Sequence, residues 1–370
     1  MRKDVILKLE DNYKLVAISD IHAHLKVFES LMDQLDLKAD DYLIIIGDFI
    51  NKGPNSLSVI RRMMDLSKRP NTTILKGNHE YFVCQYLFDA PINDRYYSKA
   101  KFFDFISNWD HNSILKDFCI DQGMTINDFH SFEDLQHMIF KNYSAEVNYM
   151  NDLPVVLHLD DMVFVHGGYC DNFDPLTDES KYLKYDDFNK LSTNQDKTVV
   201  VGHWPTSNMR SAKNTNKPLF NNEKGIISID GGLGVKSSGE LNALIIEKQS
   251  GQREIHYIQE NHFQSKKIIH PYVFNIEDKI FVNYPHFDLE LIEKGEKMTK
   301  CRHVYTGKEL SIFNSLLDFT HDHPQVITTY INHFLNLEIG ETVELVMTYD
   351  DCALVKHNGE FGWVWSSQLS

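Results

Sequence analysis

The sequence predicts an α/β fold in which helices cover both sides of buried strands, followed by a smaller β-rich region. Leu43-Ile44-Ile45-Ile46 is an unbroken apolar run, the mark of a strand buried on both faces. Such runs alternate with segments of helical period. Five strand ends are each followed at once by an aspartate, a histidine or an asparagine. A carboxylate in that position stands where open α/β sheets bind ligands.

The 370 residues suffice for more than one core, and 42% hydrophobic with 24% charged residues is ordinary globular composition. The net charge of -16 leaves no basic surplus to neutralise phosphates, so a general nucleic-acid binder is excluded. Cys84, Cys119, Cys170, Cys301 and Cys352 are odd in number and form no C-x-x-C pair, which predicts reduced thiols. The charged start, Met1-Arg2-Lys3-Asp4, is no signal peptide and no run is long enough to span a membrane. A soluble cytoplasmic protein without a membrane partner is expected.

Lys14 to Ile18 predicts the first strand, with Asp20 and His22 just beyond it. Alternate residues of a tightly turned segment point the same way, so carboxylate and imidazole can reach one cation. Phe28, Leu31, Met32 and Leu35 fall at helical spacing, with His24 expected in a surface or capping role. The next strand breaks at Gly47 and delivers Asp48. A helix through Ile60, Met63, Met64 and Leu66 follows, then Thr72 to Leu75 running into Gly77, Asn78, His79 and Glu80. The Asn78 carbonyl oxygen suits a hard cation, and an adjacent His79 held off the metal can donate a proton.

From Tyr81 to about Met150 the pattern is helical and aromatic, including Tyr86, Tyr96, Tyr97, Phe102, Phe105 and Trp109. A helical cap with its own small core is the expectation, in preference to an aromatic substrate box. Asp161 to Val165 then delivers His166, followed by Gly167 and Gly168, and Thr198 to Val201 delivers His203. Ile226 to Ile229 closes a further strand before Asp230, with Leu241 to Glu247 as its expected antiparallel partner. Asp20, His22, Asp48, Asn78, His166 and His203 together describe mixed nitrogen and oxygen ligation. With one carboxylate free to bridge, the set suits two ions of manganese, iron or zinc.

These motifs resemble the calcineurin-like metallophosphoesterases, within them the PPP-type phosphoprotein phosphatases and bacterial diadenosine tetraphosphatases. The carriers are Ser19-Asp20-Ile21-His22-Ala23, Gly47-Asp48-Phe49-Ile50-Asn51-Lys52-Gly53, Gly77-Asn78-His79-Glu80, His166-Gly167-Gly168 and Gly202-His203-Trp204-Pro205-Thr206. The resemblance implies a four-layer metallophosphoesterase β-sandwich flanked by helices over residues 1–262, with 81–150 as a helical cap insert. It implies that Asp20 and His22 bind the first metal, that Asp48 bridges, and that Asn78, His166 and His203 bind the second. Two divalent ions, manganese first, and His79 as the acid for the leaving group follow from it. So do Lys52 and Asn78 as phosphate-binding residues.

Two departures stand in one loop. Where the family keeps an aspartate to hold the catalytic histidine, this chain has Asn51, whose amide oxygen is expected to accept the imidazole N–H. Where the family has an arginine clamp, it has Lys52, which supplies charge without a planar fork. No arginine lies between Arg95 and Arg210.

Residues 263–370 are expected to be mostly β. Pro271 to Asn275, Lys279 to Pro285 and Thr342 to Met347 read as strands, and Asn358-Gly359 joins a hairpin. The end, Val355 to Val364, is similar to bacterial SH3-like domains, which implies a barrel able to recruit a peptide or protein. Trp363 and Trp365 are expected as its core and rim.

The activity implied first is hydrolysis of a phosphomonoester on a protein or small molecule, by attack of a metal-bridging hydroxide. Hydrolysis of diadenosine tetraphosphate or another phosphoanhydride is the alternative, and a weakened phosphoesterase serving as a sensing module is the third.

Overall fold

Two packed sheets carry the first part of the chain, and their strand directions decide where the functional residues emerge. The computed structural model describes residues 4–90, 97–109, 111–170, 179–210, 215–273 and 279–370. Tyr96, Phe274 and Asn275 therefore lie outside the described residues. The chain divides into two compact units. One comprises Met1–Pro205, Pro218–Val235 and Glu240–Asn261, the other Thr206–Lys217, Lys236–Gly239 and His262–Ser370.

In the first unit, β1 (Asp4–Leu7) leads into β2 (Tyr13–Ile18), α1 (Leu25–Leu35), β3 (Tyr42–Ile46), α2 (Ser56–Leu66) and β4 (Thr72–Leu75). The insert consists of α3 (Asn78–Leu87), α4 (Lys99–Asn108), α5 (Ile114–Asp121) and α6 (Phe132–Asp152). Then come β5 (Val156–Leu159), β6 (Met162–Val165), α7 (Glu179–Leu183), α8 (Phe188–Leu191) and β7 (Thr198–Val201). β8 (Leu219–Asn221), β9 (Ile226–Ser228), β10 (Leu241–Gln249) and β11 (Gln252–Glu260) complete the unit.

The sheets have the orders β1-β5-β6-β7-β9-β8 and β11-β10-β2-β3-β4. Strands β2, β3 and β4 run parallel, as do β6, β7 and β9. Period-2 alternation splits each strand between two cores. Leu15, Ala17, Ile44, Ile46 and Leu75 meet Leu157, Met162, Phe164 and Val200 between the sheets. Val16, Ile18, Leu43 and Ile45 face the helices instead. The run from Leu43 to Ile46 is at most 1% exposed, so it is buried on both faces as expected. Each such side chain contributes roughly 1.5–3 kcal/mol of burial.

Two expectations are corrected. β10 does not pair with the strand before Asp230. It lies in the other sheet, antiparallel to β2 with Ala243 opposite Ile18, because the chain crosses between layers after Gly232. The insert also has no separate core: Phe102, Phe118, Phe132 and Ile139 belong to one cluster with Val16, Phe28 and Ile60. His24 precedes α1 but makes no side-chain cap; its Nδ1 lies 2.6 Å from the His22 carbonyl oxygen.

The second unit is β-rich. Its four-stranded antiparallel sheet orders Gln264–Lys267, Thr342–Tyr349, Cys352–His357 and Glu360–Trp365. Asn358 and Gly359 turn the expected hairpin with φ of 51° and 81°. Trp363 is buried and donates to the Ile331 carbonyl at 2.8 Å, whereas Trp365 stays half-buried against Phe334. Of the expected strand from Pro271, the described residues form one bridge, between Tyr272 and Leu337, and that at Lys279 is reduced among the described residues to Phe281–Val282. All five cysteines are free thiols.

Candidate metal centre

The parallel strands explain why distant motifs meet. Each of β2, β3, β4, β6 and β7 ends just before a residue expected to bind metal, and the loops converge. Asp48 Oδ2 lies 3.2 Å from His166 Nε2 and 4.0 Å from His22 Nε2. Asp20 Oδ1 lies 3.8 Å from His22 Nε2, and Asn78 Oδ1 lies 3.0 Å from His166 Nε2. Ligand atoms of His22, Asp48 and His79 fall within 4.8 Å of one another, and so do those of Asp48, His166 and His203. Asp48 belongs to both groups. All six expected metal ligands are thus brought together, with Asp48 in the middle.

Three observations test whether these residues fit cations. The Oδ1 of Asp20 is buried without a hydrogen-bond partner among the described residues, which is costly unless something positive meets it. Contacts of 3.0–3.2 Å between donor atoms are those of ligands sharing one ion at about 2.1 Å. The third is how the histidines are held. His22 Nδ1 lies 3.3 Å from the Ile50 carbonyl oxygen and His166 Nδ1 2.8 Å from that of Ile46. His203 Nε2 lies 2.8 Å from Asp186 Oδ1. An oxygen acceptor fixes the proton on the nitrogen it faces, so each ring keeps its other nitrogen for a cation. The donor set fits two divalent ions.

Holding the loops in place requires strain. Asp20, His22, Asp48, Asn51, Lys52 and His203 all have positive φ, between 43° and 68°. Each costs on the order of 1–3 kcal/mol and persists only where surrounding structure enforces it. Glu80 provides much of that enforcement. Its buried carboxylate accepts N–H bonds from Gly77, Asp48, Phe49 and Ile50 at 2.8–3.2 Å, tying the β3 and β4 loops together. Gly47 and Gly77 allow this approach, since a Cβ on either would overlap the other loop's backbone.

The charges of the cluster are set by burial and by the close approach of acids and imidazoles. Burial and the neighbouring Asp230 and Asp48 push the Asp20 carboxyl well above its usual range. Burial would raise Asp48 too, but His166, His79 and His22 outweigh it and hold that carboxyl well below normal. His166 answers the acids: against the cost of burial, Asp48 and Asp20 raise it to about 10. A cation entering beside His166 would displace that proton.

His79 has a different environment. The Ile114 N–H donates to Asn51 Oδ1 at 2.8 Å, which turns the amide nitrogen toward His79 Nδ1 at 3.1 Å. An amide nitrogen only donates, so Nδ1 accepts and the neutral ring carries its proton on Nε2. Burial, partly offset by Asp48 and reinforced by Lys52, His166 and His203, lowers His79 to about 3. The expectation that the Asn51 oxygen receives the imidazole N–H is therefore reversed, because a backbone donor from α5 has taken that oxygen. Lys52 is half-buried in the same loop, its N–H bonded to the Asn112 carbonyl at 2.9 Å. It lies near enough to act on the charge of His22, His79 and Asp230.

Sequence reasoning missed three members of the site. Glu80 and Asp186 act through hydrogen bonds to groups far away in the chain, which no local pattern announces. Asp230 was detectable, since it follows β9 as the other site residues follow their strands. It is fully buried, its Oδ1 accepts the Gly232 N–H at 2.6 Å, and its Oδ2 has no partner among the described residues. Burial pushes its carboxyl up to about 6.

A two-sheet α/β sandwich with a buried cluster of histidines, carboxylates and an asparagine at its strand ends defines a metal-binding class of phosphoesterases. The chain belongs to the calcineurin-like phosphoesterase family, which it matches over residues 13–226. An uncharacterized metallophosphoesterase of Campylobacter jejuni is 32% identical over 82 residues, 21% of this chain and 22% of that protein. The symmetrical bis(5'-nucleosyl)-tetraphosphatase of Legionella pneumophila is 36% identical over 73 residues, 20% of this chain and 26% of that protein. Serine/threonine-protein phosphatase 2 of Escherichia coli is 41% identical over 64 residues, 17% of this chain and 28% of that protein. The chain spans only about a quarter of the length of these curated relatives.

Proposed function

We propose that the protein is a dinuclear metal-dependent hydrolase that cleaves phosphoanhydrides in preference to alkyl phosphomonoesters. The observation that carries this is the contact between Asn51 Nδ2 and His79 Nδ1. With Nδ1 accepting, His79 is a neutral ring whose Nε2–H can donate a hydrogen bond. Surrendering that proton would leave an imidazolate, so full proton transfer to a departing alkoxide is disfavoured. A phosphate leaving group carries its own negative charge and needs only the hydrogen bond. The order of the two hydrolase readings drawn from sequence is thereby reversed.

In this reading Asp20, His22 and Asp48 hold one ion, and Asp48, Asn78, His166 and His203 the other. When bound, two such ions neutralise phosphoryl oxygens and lower the pKa of a water. Glu80 and Asp186 orient Asp48 and His203. Lys52 places a positive charge, and Asn78 an amide N–H, against the phosphate. Manganese is the ion proposed and the cytoplasm the compartment, in keeping with free thiols. Among the described residues no helix is long and apolar enough to cross a membrane. The antiparallel sheet ending at Trp365 supports an SH3-like reading of the second unit, with a peptide or protein partner.

The test is turnover with added Mn²⁺ on diadenosine tetraphosphate, a phosphoserine peptide and glycerol phosphate. The expected kcat/KM on the anhydride exceeds that on the alkyl esters by about 10²-fold or more. Equal or reversed rates, or no turnover of any, would contradict the proposal.

A further inference from the structure

Asp20 and Asp230 are held in the same way, and each leaves one carboxylate oxygen bare. Asp20 Oδ2 accepts the Ser19 hydroxyl and, at 3.1 Å, the His203 N–H, while its Oδ1 has no partner among the described residues. Asp230 Oδ1 accepts the Gly232 N–H at 2.6 Å, and its Oδ2 is likewise without a partner among the described residues. Both side chains are buried, Asp230 completely. A buried carboxylate oxygen is costly unless a donor or a cation meets it.

Topology brings the two carboxylates together. β7 and β9 are parallel, with Val201 opposite Ser228. His203 and Asp230 each stand two residues further on, so they leave the sheet side by side. The His203 backbone holds Asp20, and Asp230 is the neighbour whose charge acts most strongly on the Asp20 carboxyl. The turn that follows fixes Asp230 in place. Gly232 has a φ of 75°, and a Cβ on Gly231 would overlap the Glu240 carbonyl oxygen. Asn242 steadies the same strand end, its Nδ2 donating to the Ile229 carbonyl at 2.9 Å. None of these contacts uses Asp230 Oδ2. Lys52 acts on Asp230 through space but donates no hydrogen bond to that oxygen.

In the two-ion reading, Asp20, His22 and Asp48 alone supply the first ion, which leaves it room for water. Asp230 belongs to neither group of atoms close enough to share an ion. Unlike Asp20, which lies 3.8 Å from His22, it has no site histidine within ion-pair reach among the described residues. A carboxylate so placed reaches a cation through water, orients that water and adds negative charge without crowding the ligands.

We propose that Asp230 is a further residue of the first metal site, accepting at Oδ2 a hydrogen bond from a water on the ion that Asp20 binds. The two bare oxygens would then take the ion and its water between them. The inference rests on the two-ion reading of the centre and is independent of which phosphate compound is cleaved.

Mn²⁺ titration of the metal-depleted full chain, followed by electron paramagnetic resonance and equilibrium dialysis, tests this with Asp230→Asn. The amide oxygen keeps the Gly232 N–H, and an NH₂ group that cannot accept a hydrogen bond replaces Oδ2. The unsubstituted protein is expected to bind two ions, and the variant to lose about 10- to 100-fold in affinity for only one of them. The signal of the coupled pair should appear at correspondingly higher Mn²⁺. The melting temperature of the metal-free variant is expected to hold or rise, because one of two neighbouring buried charges is gone. The stabilisation gained on adding Mn²⁺ should shrink. A purely structural residue would do the opposite, lowering the metal-free melting temperature and leaving both affinities unchanged. That result, or equal loss at both ions, would overturn the proposal. Asp230→Ala, which admits water in place of the carboxylate, is expected to lose the same affinity and serves if the asparagine variant does not fold. Fewer than two ions on the unsubstituted protein would remove the two-ion reading and this role together. Two ions bound equally well by the variants would remove the role of Asp230 alone.

Discussion

Asp48→Asn is expected to lower kcat on any phosphate substrate by about 10³-fold or more and to reduce the bound metal below two ions per chain. The substitution preserves shape. The amide oxygen can still take the His79 backbone N–H, which Asp48 Oδ1 accepts at 2.9 Å, and the four bonds to Glu80 are untouched. What disappears is the one negative charge common to both ligand groups, at 3.2 Å from His166 and 4.0 Å from His22. Elemental analysis of the dialysed protein, together with kcat, reads the effect. Two ions retained with turnover near normal would show that Asp48 is not the bridge.

Asn51→Asp is expected to raise turnover of an alkyl phosphomonoester by about 10²-fold while moving that of a phosphoanhydride by less than about threefold. A carboxylate at this position keeps one oxygen for the Ile114 N–H and turns the other toward His79 Nδ1. Nδ1 then becomes a donor, and the added negative charge raises the ring's pKa, so the imidazolium can form and deliver a proton. Removing such an aspartate from a serine-protease triad costs about 10⁴-fold, partly through the wrong tautomer. The gain here is smaller because Lys52, His166 and His203 still oppose a cation at His79. Steady-state rates on glycerol phosphate and diadenosine tetraphosphate separate the outcomes. Equal gains on both, or none on either, would detach leaving-group preference from residue 51.

The convergence of Asp20, His22, Asp48, Asn78, His166 and His203 was legible because chemistry and topology repeat one local signal. A short apolar run ending in Asp, His or Asn is readable within ten residues, and parallel strands carry each such end to the same edge. The fold's layers followed for the same reason. What was not legible was settled by partners far along the chain. Asn51 reads as an amide that could point either way, and only Ile114, 63 residues on, turns its nitrogen toward His79. Glu80 reads as the end of a motif, and its bonds to three N–H groups of the β3 loop exist only once β3 and β4 pair. β10 looked like the return strand of a hairpin, but strand partners are chosen by which edge is open. The aromatic insert shows a finer failure: Phe102 with Ile106, and Phe105 with Trp109, are two helical stripes, visible in the spacing and merged when read as composition.

The protonation state of His79 is the claim on which the preferred substrate depends. Nitrogen-15 NMR of histidine-labelled protein, with the resonance assigned by its loss in His79→Gln, reads it directly. A ring protonated at Nε2, bare at Nδ1 and still neutral at pH 5 is the predicted result, in keeping with a pKa near 3. An imidazolium at neutral pH, or a proton on Nδ1, would contradict it.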